Sequence, residues 1–182
     1  LSTAKQAIGL GLISLGYLII ALQVKDLGTT GKLGVIWLIV LYLLHTWGEL
    51  CLSPIGLSLV AKLAPKRFAS LLMGVWFLGN AAGYALTGTL GALLPPTGDK
   101  YAIASEKGID LKAVLDGTGK ATADQLAYLA EKKIPTVYPT FAGFTITNLF
   151  EFFMVFVILC GVAALILYSL TPLLRRMMHG VR

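Results

Sequence analysis

Charge is scarce in this sequence: Asp, Glu, Lys and Arg make up 13% of its 182 residues, while 57% are hydrophobic. An ordinary soluble domain carries about 25% charged residues, so that class is excluded. Cysteine and histidine are nearly absent, with two of each. Cys51 and Cys160 fall on different apolar segments without metal-ligand spacing, so both read as small packing residues and no metal site is expected. Two histidines leave no Ser-His-acid set and no His pair with a general-base Glu, and no glycine-rich phosphate loop follows a strand. Neither an enzyme nor a bound cofactor is expected. A basic-then-apolar-then-small cleavage pattern is also missing, and the opening Leu-Ser-Thr predicts no signal peptide but a piece of a longer chain.

Acids are missing from one side in particular. Lys5, Lys62, Lys66, Arg67, Arg175, Arg176 and Arg182 flank hydrophobic segments on what should be one side of a membrane, with no acid among them. The eight lysines on the other side stand among seven acids. The net charge of +6 is therefore the positive-inside pattern of a membrane protein, and no nucleic-acid partner is expected.

What is present is hydrophobic length. Apolar runs over residues 6–24, 33–63, 68–94 and 144–171 are each long enough for a crossing, which takes about 20 residues. They predict an all-α membrane protein with four transmembrane helices and both termini on the cytoplasmic side of the cell (inner or plasma) membrane. The second run would be ~45 Å long if straight, so it tilts or projects. Residues 95–143 are polar and charge-balanced, and by this topology form an extracytoplasmic insert. Thr122 and Gln125 fit a capping box ahead of a short helix reaching Lys133, and a second short helix is expected over residues 109–115. Residues 172–182 form a basic cytoplasmic tail. Glu151, two turns inside the fourth run, is expected at the membrane interface.

The chemistry concentrates in residues 48–83. Glu49 lies near the middle of the second run, where an ionised carboxylate costs at least ~2.5–3.5 kcal/mol on insertion scales. His45 and Ser53 stand four residues to either side and share its face. Pro54 removes a backbone donor and crowds the carbonyl of Leu50, which predicts a kink. On the third run Trp76, Gly79, Asn80, Gly83 and Thr87 recur at helical spacing, and Gly79 and Gly83 have the spacing of a close helix contact. Two antiparallel helices joined by a basic turn would bring these faces to one cavity.

The stretch GELCLSPIGLSLVAKLAPKRFASLLMGVWFLGNAAG closely resembles the tenth and eleventh transmembrane helices of the proton-dependent oligopeptide transporter family, a branch of the major facilitator superfamily. The resemblance rests on an intramembrane Glu, a Ser-Pro-Ile-Gly-Leu run, a Leu-Ala-Pro turn with basic residues after it, and Met-Gly-Val-Trp-Phe-Leu, in one order. It implies the last four helices of a twelve-helix fold that takes up di- and tripeptides with protons by alternating access. It further implies that Glu49 binds the peptide amino terminus and pairs with a lysine of the other helical bundle, that Trp76 walls the pocket, and that Ser53 lies in it. Asn80, one turn past Trp76, stands as a pocket donor. His45 carries no role from the family and is open to two readings, a proton relay beside Glu49 or a packing residue. The partners implied are peptide, protons, the lipid bilayer and the remaining helices. Two alternatives accompany this reading: a transporter of another small solute in the same superfamily, and a non-transporting membrane subunit in which Glu49 is structural.

Overall fold

A computed structural model describes residues 2–28 and 31–177. Thr29 and Thr30 of the first connection, and Arg182 of the basic tail, lie outside the described residues. Four helices are long and apolar enough to cross a membrane: α1 (Ser2–Val24), α2 (Val35–Leu63), α3 (Ala69–Gly91) and, after the insert, the helix Leu149–Met177. Lipid offers no hydrogen-bond partner, so each run must satisfy its backbone internally as helix. The hydroxyls within the spans follow the same rule: Thr46 donates to the Tyr42 carbonyl at 2.7 Å, and Thr87 to that of Gly83 at 2.9 Å.

The insert contains three short helices, α4 (Gly98–Glu106), α5 (Leu111–Leu115) and α6 (Ala123–Glu131), then an antiparallel hairpin of β1 (Thr140–Phe141) and β2 (Phe144–Thr145), before α7 (Leu149–Met177). The hairpin lies outside an all-α expectation, although it amounts to two residues a strand. It turns through Ala142 and Gly143, both at positive φ, as a two-residue primed turn requires.

α1 sits between α2 and α7, and α3 packs more lightly, chiefly on α2. Glycine lets α1 and α2 come together: a Cβ at Gly9 would stand 2.8 Å from the Gly48 carbonyl oxygen, and one at Gly48 would stand 2.6 Å from Ile13 Cγ1. The Gly79–Gly83 pair expected to make such a contact does not make one with this chain. Among the described residues nothing lies within 4 Å of a Cβ at either position. On the other flank of α1, Ser14 Oγ donates to the Val157 carbonyl of α7 at 3.0 Å. Tyr17 stacks on Phe156 with ring centroids 5.1 Å apart and meets His45 edge-on at 4.5 Å, joining α1, α2 and α7.

The insert is more than a solvated loop. Ala104, Ile109, Leu111, Leu115, Leu129 and Ile134 form a buried core of its own, with Tyr101, Tyr128 and Tyr138 packed around it. Thr122 caps α6: its hydroxyl accepts from the Gln125 N–H at 3.4 Å, and Gln125 Oε1 accepts from the Thr122 N–H at 2.9 Å. Pro95 and Pro96 are buried where the chain leaves α3, and Ile146 is buried where it enters α7. Both ends of the insert are thus packed. At the start of α7, Asn148 Oδ1 accepts from the Glu151 N–H at 2.9 Å, while Glu151 Oε2 accepts from the backbone and hydroxyl of Thr147 at 2.7 and 2.9 Å. Glu151 therefore serves as part of a helix cap.

Candidate functional site

Glu49 is 14 residues from each end of α2. It is exposed on the helix surface, and no hydrogen bond or ion pair reaches it from the described residues. Ser53, one turn on, is likewise exposed, and Pro54 sits inside the helix, which runs unbroken from Val35 to Leu63. The proline costs one backbone bond without ending the helix.

His45 parts company with this pair. Its ring lies against α1, so close to Gly16 that a Cβ there would stand 2.9 Å from His45 Cδ2, and it meets the edge of Tyr17. His45 Nε2 is buried without a hydrogen-bond partner among the described residues, and no ion pair joins it to Glu49. The three residues share a helical face by spacing alone. The 40° offset between positions i and i+4 is enough to put His45 in the α1 seam and leave Glu49 outside it.

Trp76 and Asn80 come together on α3. With Leu59 and Val60 of α2, Ala64 just past its end, and Leu72, Val75 and Gly79 of α3, they line a cleft of about 530 Å³ between the two helices. Glu49 and Ser53 are not among its lining residues. The Trp76 ring also covers Gly56: a Cβ at Gly56 would collide with the ring, with Cζ2 at 2.9 Å, and would approach Gln6 Nε2 of α1 to 3.1 Å. Gly56 is thus the position that seats the tryptophan. Sequence reasoning missed it, although its place one turn after Leu52, on the face of Gly48, gave the signal. The apolar lining at Leu72 and Val75 was legible in the same way from their i, i+4 spacing to Trp76 and Gly79.

A second cleft, of about 430 Å³, lies at the opposite end of the bundle from the basic 64–68 turn. It opens between the α1–α2 turn, the insert and the start of α7, and its polar lining includes Lys25, Lys112, Asp116, Tyr101 and Tyr138. The Tyr138 hydroxyl donates to Asp116 Oδ1 at 3.1 Å. Burial, and then the bond to Asp116, push the Tyr138 hydroxyl well above the ordinary phenol range; burial raises Tyr101 as well. Both therefore stay protonated near neutral pH. Among the described residues no group of three His, Cys, Asp or Glu side chains is placed to hold a metal ion.

The profile of the POT family, PTR2, matches residues 2–100, which takes in α1, α2, α3 and the first residues of α4. The chain belongs to the POT family. An uncharacterized transporter, YclF, of Bacillus subtilis is 39% identical over 89 residues, covering 49% of this chain and 18% of the relative. The di-/tripeptide transporter of Lactococcus lactis subsp. lactis is 39% identical over 82 residues, covering 45% and 16%. Dipeptide and tripeptide permease A of Klebsiella pneumoniae is 39% identical over 90 residues, covering 50% and 18%. This POT chain thus spans less than a fifth of the length of these relatives. No solved structure matches it significantly. The POT match contains Glu49, Ser53, Trp76 and Asn80, and ends before most of the insert and all of α7.

Proposed function

We propose that the chain forms the last four helices of a proton-coupled transporter of di- and tripeptides, a twelve-helix protein of the major facilitator type that works by alternating access. The observation that carries this reading is Glu49, an exposed carboxylate without a partner among the described residues, at the centre of a 29-residue membrane helix. A charge so placed is costly unless it meets a cation, water or a proton. A peptide ammonium group supplies the first and a coupled proton the last, and exchange between them links substrate to conformation. Membership of the POT family, and the peptide-transporter names of two of the relatives, support the substrate class.

In this reading the polar positions divide the work. Glu49 binds the peptide amino terminus and takes part in proton coupling. Ser53 donates one turn away, Trp76 offers a flat apolar wall, and Asn80 lies beside it in the same cleft. His45, held in the α1 seam, acts in packing. The Pro54 break gives α2 a place to flex as the bundles rock. The basic turn at residues 64–68 faces the cytoplasm and the insert faces outward, which follows the distribution of lysine and arginine.

The test is uptake of labelled dialanine by the complete protein in liposomes, with unlabelled competitors. Di- and tripeptides should compete, and free amino acids and tetrapeptides should not. Competition by a different class of small solute, with peptides inert, would move the substrate assignment to that class.

A further inference from the structure

The polar cleft beneath the insert has no part in the central site, and its walls carry opposite charges. Lys25 comes from the end of the α1 span, whereas Lys112 and Asp116 come from the insert. Neither lysine is in an ion pair among the described residues; Lys25 only lies over the Phe150 ring, with Nζ 5.8 Å from its centroid. Asp116 is held through one oxygen, Oδ1, by the Tyr138 hydroxyl at 3.1 Å, and Oδ2 has no partner among the described residues. The cleft thus presents two free ammonium groups and one free carboxylate oxygen around about 430 Å³, a volume within the ~300–1,000 Å³ range of small-molecule sites.

We propose that this cleft is an outer binding site for short zwitterionic peptides, with Lys25 and Lys112 holding the terminal carboxylate and Asp116 holding the ammonium group. The proposal rests on the peptide-transport reading above for the identity of the ligand. A simple anion would use the lysines and meet repulsion from Asp116; a simple cation would meet the reverse. A molecule with both charges satisfies all three residues. The tyrosines fix the site: Tyr138 stays a donor and orients Asp116, and Tyr101 packs beside it against the core of the insert. Because the insert supplies one wall, the site exists only while the insert is docked on the bundle.

The probe is dialanine, titrated calorimetrically into the purified complete protein. Two binding events are expected in the wild type. One should remain in Glu49→Gln, which isolates the outer site. In that background, Lys25→Gln with Lys112→Gln should weaken the remaining event at least tenfold, and so should Asp116→Asn. N-acetyl-dialanine, which lacks the ammonium group, should likewise bind the Glu49→Gln protein at least tenfold more weakly than dialanine, an outcome independent of whether the lysine variants fold. A single event in the wild type that disappears in Glu49→Gln overturns the proposal, as does an outer event indifferent to both the lysines and the acetyl group. Failure of the transport reading shows differently, as absent uptake with the Glu49-independent event intact.

Discussion

At the residue scale, two positions carry contacts whose disturbance is readable. Gly56 exists to let Trp76 lie against α2, so Gly56→Val must either push the ring out of the cleft or spread α2 from α3. Overpacking of this kind costs about 1–3 kcal/mol, and the variant should melt at a lower temperature than the wild type and bind dialanine more weakly. Unchanged melting and binding would mean that the Trp76 contact is not made. Tyr138 gives a test of sign. Its folded-state pKa is raised above the ordinary tyrosine value of about 10, so its contribution to stability is complete below pH ~10 and is lost as pH rises above it. The insert should therefore lose stability with alkali more steeply in the wild type than in Tyr138→Phe, followed by amide hydrogen exchange of residues 98–134. Parallel pH profiles would remove the link to Tyr138.

At the scale of elements, the insert behaves as a small packed unit between two membrane helices. Leu129 is 0% exposed at its centre, and Leu129→Ala should cost about 2–5 kcal/mol. That loss should appear as faster exchange across α4, α5 and α6 while α1 and α7 keep their protection; equal exchange in variant and wild type would contradict the core described above. How much of this was legible in the sequence follows from what each signal encodes. The four spans were visible because lipid permits long apolar runs only as helices, and the Thr122–Gln125 cap because its two partners are three residues apart. The core of the insert was hidden. The stripe of Leu126, Leu129 and Ala130 pointed to one of its helices, but the helices are only five to nine residues long and the core contacts join residues as distant as Ala104 and Ile134, which no local pattern encodes. Glycine spacing is ambiguous for a related reason. It marks a helix face able to pack closely but not which helix opposes it: among the described residues the tight seam falls at Gly9 and Gly48, and nothing meets a Cβ at Gly79 or Gly83.

At the scale of the whole molecule, α1 is the hub and α3 the outlier. α1 is gripped from both sides by glycine contacts, the Ser14 bond and the Tyr17 aromatic cluster, whereas α3 has no buried residue. The candidate pocket residues follow this division. His45 is drawn into the hub, while Glu49, Ser53 and Asn80 stay exposed. The same arrangement explains why the mid-helix position of Glu49 was readable from the hydrophobic run, while the burial of His45 was not: burial is decided between helices, and the sequence of one helix does not contain it.

The most direct measurement is dipeptide uptake into proteoliposomes under an inward proton gradient, comparing the complete protein with Glu49→Gln after checking that both insert and melt alike. Gradient-driven uptake is expected in the wild type and its loss in the variant. Equal uptake by the two proteins, with the same dependence on the gradient, would contradict the central place given to Glu49.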